Sequence, residues 1–225
     1  RRASGVHRGP GDYKTLAVVI EGSNTITLTD TTMTGAKKSG VMLYQSMSGD
    51  ATGSESKYTQ TGGSLSAAEG PLLYVTNATG EVTLSNVKTT ATSGVLLKAA
   101  ADKWGTSGSN GGNAILNATS ETLTGDVVVD SVSTAKITLT GSSWTGALDS
   151  ANTAKSTSLT LTGSSSWTVT SDSYIDSLTG AAISGSSVTN ITGNGHTVYY
   201  NASTSTELGG KTYTLAGGGT LKPMS

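Results

Sequence analysis

The stretch Lys136-Ile137-Thr138-Leu139-Thr140-Gly141-Ser142-Ser143-Trp144 returns one period later as Ser158-Leu159-Thr160-Leu161-Thr162-Gly163-Ser164-Ser165-Ser166-Trp167. Ile137 to Leu159 and Leu139 to Leu161 are each 22 positions, and Trp144 to Trp167 is 23. In both copies the apolar residues share one parity and Thr takes the other, the alternation of a strand with one buried face. The same phrase occurs upstream as Asn24-Thr25-Ile26-Thr27-Leu28-Thr29 and as Glu81-Val82-Thr83-Leu84-Ser85. A denser apolar phrase alternates with it: Gly40-Val41-Met42-Leu43-Tyr44, Gly70-Pro71-Leu72-Leu73-Tyr74-Val75, Gly94-Val95-Leu96-Leu97 and Gly125-Asp126-Val127-Val128-Val129. Short strands recurring every 20–30 residues or so are the mark of a solenoid, in which each coil stacks on the next and like residues form ladders.

Composition agrees with an ordered β protein. Of 225 residues, 34% are hydrophobic and only 13% charged, with a net charge of −1. Disorder is favoured by high net charge and few β-branched residues; here Thr, Ser, Gly and Asn replace the missing apolar residues. Cysteine is absent, so stability rests on burial and backbone ladders. No apolar run approaches the 18 or so residues of a membrane-spanning helix. The near-neutral charge argues against nucleic acid as a partner, since a basic face is the expected footprint.

A β-sandwich also accommodates short alternating strands, and Asn77-Ala78-Thr79-Gly80 reads as a hairpin signal. Matched spacing of like residues favours the solenoid. Ser46 to Ser64 and Ala99 to Gly112 exceed the basic period and read as projecting loops, the second with a short helical turn at Ala99–Trp104. The expected organisation is an extended N-terminal arm over 1–14 and a single solenoid domain over 15–225, the whole all-β.

Candidate sites are sparse. Asp126 with Asp130, and Asp172 with Asp176, share strand parity and offer oxygen ligands of the kind Ca²⁺ takes; a solvated outer face is the simpler reading. His7 and His196 are isolated, and without cysteine a zinc site is not expected. No cofactor is expected. Thr rows at Thr25, Thr27 and Thr29, then Thr138 and Thr140, then Thr160 and Thr162, approach an ice-binding array. Glu81 and Ser85 break it. Trp144 and Trp167 stand one coil apart and read as a stacked pair in or beside the core. Trp104, in the second loop, with Tyr58, is the candidate ligand-binding pair, because aromatic rings stack on the apolar faces of sugars.

The order Glu69-Gly70-Pro71-Leu72-Leu73-Tyr74-Val75-Thr76-Asn77, Ser93-Gly94-Val95-Leu96-Leu97, Trp104-Gly105, Ser109-Asn110-Gly111-Gly112-Asn113 and Leu123-Thr124-Gly125-Asp126 resembles bacterial extracellular repeat proteins of the pectin-lyase-like superfamily. The ending Asn194-Gly195-His196-Thr197-Val198-Tyr199-Tyr200 through Gly217-Gly218-Gly219-Thr220-Leu221-Lys222-Pro223 is similar to the C-terminal ends of the same proteins. The resemblance implies a right-handed parallel β-helix, here of roughly eight coils, and secretion to a bacterial cell surface. It implies little about activity, since fold does not give function. A lyase on this fold needs a basic catalytic residue beside acidic metal ligands. No Arg lies beyond Arg8, and no such cluster is visible, so no enzymatic activity is expected.

A solenoid has two ends that expose unpaired backbone groups, and neither end of this sequence has helical periodicity to cap it. The expectation is therefore an extracellular structural protein of the cell surface or matrix, a homo-oligomer assembling head to tail into filaments. Arg1, Arg2, Arg8 and Tyr13 of the arm and Tyr213, Leu215 and Leu221 of the final strands are the candidate assembly residues. Fourteen extended residues reach at most about 46–50 Å, and eight coils stand roughly 40 Å tall. The alternative is a carbohydrate-binding adhesin module.

Overall fold

The computed structural model describes residues 16–46 and 55–225. The chain passes repeatedly round three sheets. The first holds Leu16–Glu21, Ser39–Tyr44, Leu73–Thr76, Val95–Ala99 and Asp126–Val129, in sequence order and all parallel. The second holds Thr25–Gly35, Glu55–Ala67, Ala78–Ser85, Gly112–Thr119, Thr134–Thr140, Ser156–Thr162 and Ser177–Thr179, again parallel and in order. The third stacks Thr122–Thr124, Ser143–Gly146, Ser166–Val169, Ser187–Thr192 and Tyr213–Ala216. The chain is all-β, with parallel sheets whose successive strands stack in order, and this is consistent with a β-solenoid.

Register confirms the sequence repeat. Ile137 pairs with Leu159 and Leu139 with Leu161, parallel and side chains buried. The first pair belongs to an inward column running Ile26, Tyr58, Val82, Leu116, Ile137, Leu159, Leu178. Each buried Leu or Ile contributes roughly 1.5–3 kcal/mol, so the column binds coil to coil without any disulfide. Trp144 and Trp167 form the third-sheet column with Leu123 and Ile191. Their rings stack at 5.1 Å with an interplanar angle of 1°, and both are inside the core. Each indole N–H finds a buried acceptor, Trp144 Nε1 on the Gly125 carbonyl at 2.8 Å and Trp167 Nε1 on the Gly146 carbonyl at 2.9 Å. Gly125 can present that carbonyl because it adopts φ +131°, a conformation open in practice to glycine; a Cβ there would lie 2.7 Å from the Leu96 nitrogen.

One inward position breaks the apolar rule. Gln60 is fully buried between Leu28 and Leu84 in the neighbouring column. It sits where Glu55–Ala67 bends from the second sheet toward the third. Its Nε2 donates to the carbonyls of Thr31, Gly62 and Ser64, and its Oε1 accepts the Tyr58 hydroxyl at 2.7 Å. The polar side chain thus satisfies the backbone groups that the bend releases from the ladder.

The two ends differ. At the N-terminal end Leu16–Glu21 and Thr25–Gly35 each have one strand neighbour and one free edge among the described residues. Ile26, Leu28 and Met33 there are partly exposed. At the C-terminal end the edges are closed within the chain. Tyr213–Ala216 and Thr220–Pro223 continue two different columns in parallel, on Ser187–Thr192 and Thr197–Tyr200, and pair with each other antiparallel. The last strand of the second sheet, Ser177–Thr179, is capped by the short 3₁₀ segment Thr206–Leu208 and the residues before it. Ser205 Oγ accepts the Leu178 N–H, and Glu207 accepts the Gly180 N–H.

Several expectations are corrected. Ser46 to Ser64 is not one loop: Glu55–Ala67 is a strand of 13 residues. Its alternation is disguised because Gln60 and Ser56 point inward with Tyr58. The rest of that stretch, 47–54, lies outside the described residues. Ala99 ends a strand, and no helical turn forms at Ala99–Trp104; the Ala100 N–H goes to the Val75 carbonyl, the Ala101 N–H to the Asp130 carboxylate, and the Asp102 and Trp104 carbonyls accept from the Asn110 side chain. Tyr213, Leu215 and Leu221 are not free end residues; all three are buried by the terminal hairpin. Arg1, Arg2, Arg8 and Tyr13, with the arm 1–14, lie outside the described residues.

Candidate functional site

The loop 100–111 leaves the first sheet at Ala99 and returns to the second at Gly112. Side chains hold it to the coils around it. Asn110 is nearly buried, and its Nδ2 donates to the carbonyls of Asp102 and Trp104. The Asp102 carboxylate accepts the Tyr74 hydroxyl at 2.6 Å, and Asp130 on the next coil accepts the Ala101 N–H at 2.8 Å. Gly105 packs on Asn77, whose amide donates to the Gln45 carbonyl; a Cβ at Gly105 would come within 2.3 Å of the Asn77 side-chain oxygen. The loop is thereby fixed as a shelf, which limits the entropy lost on binding.

The shelf presents Trp104 against Tyr44, with ring centroids 4.8 Å apart at 51°. Lys103 Nζ lies 4.8 Å from the Trp104 centroid, and Lys98 Nζ 5.4 Å from that of Tyr74. Beside the shelf is a cleft of about 450 Å³, lined by Gln45, Glu55, Asn77, Thr79, Ser109 and Asn113 among others. Amides and hydroxyls dominate it, and Glu55 supplies a carboxylate. An aromatic pair on the neighbouring shelf and neutral hydrogen-bonding groups within the cleft suit a polyhydroxylated ligand.

The ionisable groups here are tuned by these contacts. The Tyr74 hydroxyl bond holds the Asp102 carboxyl below its usual range, against the opposing effect of burial. Burial and the bond to Asp102 together push the Tyr74 phenol up. Burial, then the charge of Glu21, raises Tyr44, whose hydroxyl donates to Glu21 at 3.3 Å. None of these shifts creates a base poised near neutrality. Elsewhere Glu121 is 3% exposed, and burial pushes its carboxyl up to about 7 despite the Val87 N–H it accepts at 2.7 Å.

Tyr58 is not beside Trp104. It is fully buried in the second-sheet column, its hydroxyl on Gln60; it shares the inward parity of Ser56 and Gln60, and Tyr44 is the ring that meets Trp104 instead. The proposed carboxylate pairs are separated into structural tasks. Asp126 accepts Ala147 N–H, Asp130 accepts Ala101 N–H, Asp172 accepts Thr197 N–H and Asp176 accepts Thr157 N–H. Each ties one coil to another. Among the described residues no group of three or more His, Cys, Asp or Glu is placed to hold a metal ion. His196 lies 3.8 Å from Asp172 at a corner; His7 is outside the described residues.

A second outward aromatic pair lies farther along: Tyr174 and Tyr199 stack at 4.9 Å, with Lys222 Nζ 5.3 Å from the Tyr199 centroid. No helix among the described residues is long and apolar enough to cross a membrane. No protein-family model, curated protein or solved structure matches the chain.

Proposed function

We propose that the chain is an extracellular structural protein of the bacterial cell surface or matrix, built as a right-handed parallel β-helix of roughly eight coils, that self-associates through an end. The observation that carries this reading is the open first coil. Among the described residues two strands there have free edges, and Ile26, Leu28 and Met33 are partly exposed above the core. An uncovered edge is a template for pairing with another chain. The wall below it is suited to a spacer: ladders of Thr and Ser outside, apolar columns inside, no cysteine. The right hand of the coil follows the sequence resemblance to pectin-lyase-like repeat proteins and the strong preference of parallel crossovers for that hand. Growth into head-to-tail filaments needs two open ends, and the paired edges at Tyr213–Pro223 weigh against it. Light scattering of the full chain across a concentration series tests the reading: mass should rise with concentration, and a constant monomer mass overturns it.

A second reading, a carbohydrate-binding adhesin module, is favoured by the Trp104–Tyr44 pair on the same loop shelf that lends Ser109 to the polar cleft. Titration with soluble glycans tests it. Binding should quench tryptophan fluorescence and be lost in Trp104→Ala. Absence of binding across neutral and acidic glycans removes this reading.

A further inference from the structure

The edges of the first coil that are free among the described residues have a symmetry that selects a partner. Gly22 N–H donates to the Tyr44 carbonyl, Lys57 N–H to the Asn24 carbonyl, and Ala68 N–H to the Gly35 carbonyl. Backbone groups alternate sides along a strand. Hence Ala17, Val19 and Glu21 turn their N–H and C=O to the free edge, as do Thr25, Thr27 and Thr29, and then Thr32 and Thr34 beyond the bend at Asp30. That bend has φ +47° at Asp30 and divides Thr25–Gly35 into two legs of similar length.

We propose that this end pairs two copies of the chain, like end to like end, about a two-fold axis passing through the Asp30 corner and through Val19 on the opposite side. The rotation lays the leg Thr25–Thr29 of one copy antiparallel on the leg Thr31–Gly35 of the other. Thr27 then faces Thr32 and Thr25 faces Thr34, all four with backbone groups turned to the free edge. Ile26 falls opposite Met33, and Leu28 opposite Thr31, so the partly exposed inward side chains meet and the two cores become continuous. On the first sheet the same axis sets Val19 against its own copy and Ala17 against Glu21, again residues with free backbone groups, and puts inward Val18 beside inward Ile20. One rotation therefore satisfies hydrogen-bond alternation and side-chain parity on all three edges. It also brings the corner of Glu21 against the corner of Lys37 and Lys38, both exposed lysines, so charges of opposite sign meet. Apart from Asp30 and Glu21 the paired strands carry no charge. The contact is isologous and closes at two copies.

This inference rests on the structural reading above, and the test separates the two. The full chain is examined by sedimentation velocity over a wide concentration range, with two variants. Thr27→Pro removes a free-edge donor while leaving the bonds to the second coil, and should weaken the dimer by at least about tenfold. Val19→Cys places a single thiol on the axis of a chain that has none. Paired antiparallel Cα atoms lie about 5.5 Å apart, within disulfide range, so mild oxidation should give a covalent dimer. Lys222→Cys, at the closed end, should give no covalent dimer under the same oxidation. A dimer that ignores Thr27→Pro and leaves Val19→Cys uncrosslinked overturns the pairing. Open-ended growth also overturns it but leaves the structural reading in place. A monomer at every concentration overturns both.

Discussion

Glu121 makes the stability of this protein depend on pH in an unusual direction. Its carboxyl sits at the corner between the second and third sheets, 3% exposed, one oxygen on the Val87 N–H and the other without a partner. An ordinary glutamate ionises near 4.5; burial moves this one to about 7. Between those values the unfolded chain releases the proton and the folded chain keeps it. Stability is therefore unaffected below about pH 4.5, falls as pH rises toward 7, and carries the full penalty above it. At 1.36 kcal/mol per pKa unit the penalty is about 3 kcal/mol, a sizeable share of the roughly 5–15 kcal/mol of a typical domain. Glu121→Gln keeps an acceptor for Val87 and stays neutral. Urea unfolding followed by the fluorescence of buried Trp144 and Trp167, at intervals from pH 4 to 8, measures both proteins. The variant should gain on the parent by about 2–3 kcal/mol between pH 4.5 and 7.5. Parallel stability profiles across that window would refute the argument, and a gain in the opposite direction would show that the Val87 bond outweighs desolvation.

Other outcomes follow from the packing and the site. Trp167→Ala should cost about 3–5 kcal/mol by removing one ring of the stacked pair and leaving Gly146 without its donor, measured by the same unfolding assay. Tyr58→Phe should cost about 1–3 kcal/mol, since it leaves the buried Gln60 oxygen without its hydroxyl; a neutral result would show that another donor replaces it. Trp104→Ala should leave the unfolding midpoint nearly unchanged while abolishing any glycan binding. Purified protein should not depolymerise pectin or alginate, with or without Ca²⁺; unsaturated products lost on changing one Lys would reveal a lyase site.

The strands were legible where parity was clean. Ile137, Leu139, Leu159 and Leu161 announce a buried face, and their 22-residue offset announces the stacking. Glu55–Ala67 was hidden because Ser56 and Gln60 take inward places, and alternation cannot distinguish a satisfied buried amide from a surface one. Trp104 could be singled out from its loop, but not its neighbour: Tyr44 lies 60 positions upstream, brought close by a coil stack whose loops the sequence does not align. Tyr58 looked equally available until the register placed it between Ile26 and Val82. The carboxylates at Asp126, Asp130, Asp172 and Asp176 resembled ligand pairs because their shared parity was visible and the backbone N–H groups they accept, 19 to 29 residues away, were not. The difference between the ends was equally beyond pattern reading. Tyr213-Thr214-Leu215 and Thr220-Leu221 both read as strands, and only their antiparallel pairing closes the edge.

Small-angle X-ray scattering of the full chain over a concentration series tests the central claim most directly, because it reports mass, length and cross-section together. Association through an end predicts that mass and maximum dimension rise together while the cross-sectional radius stays that of a single coil stack. A particle of constant monomer mass at all concentrations, or one that thickens laterally as it gains mass, would contradict the account.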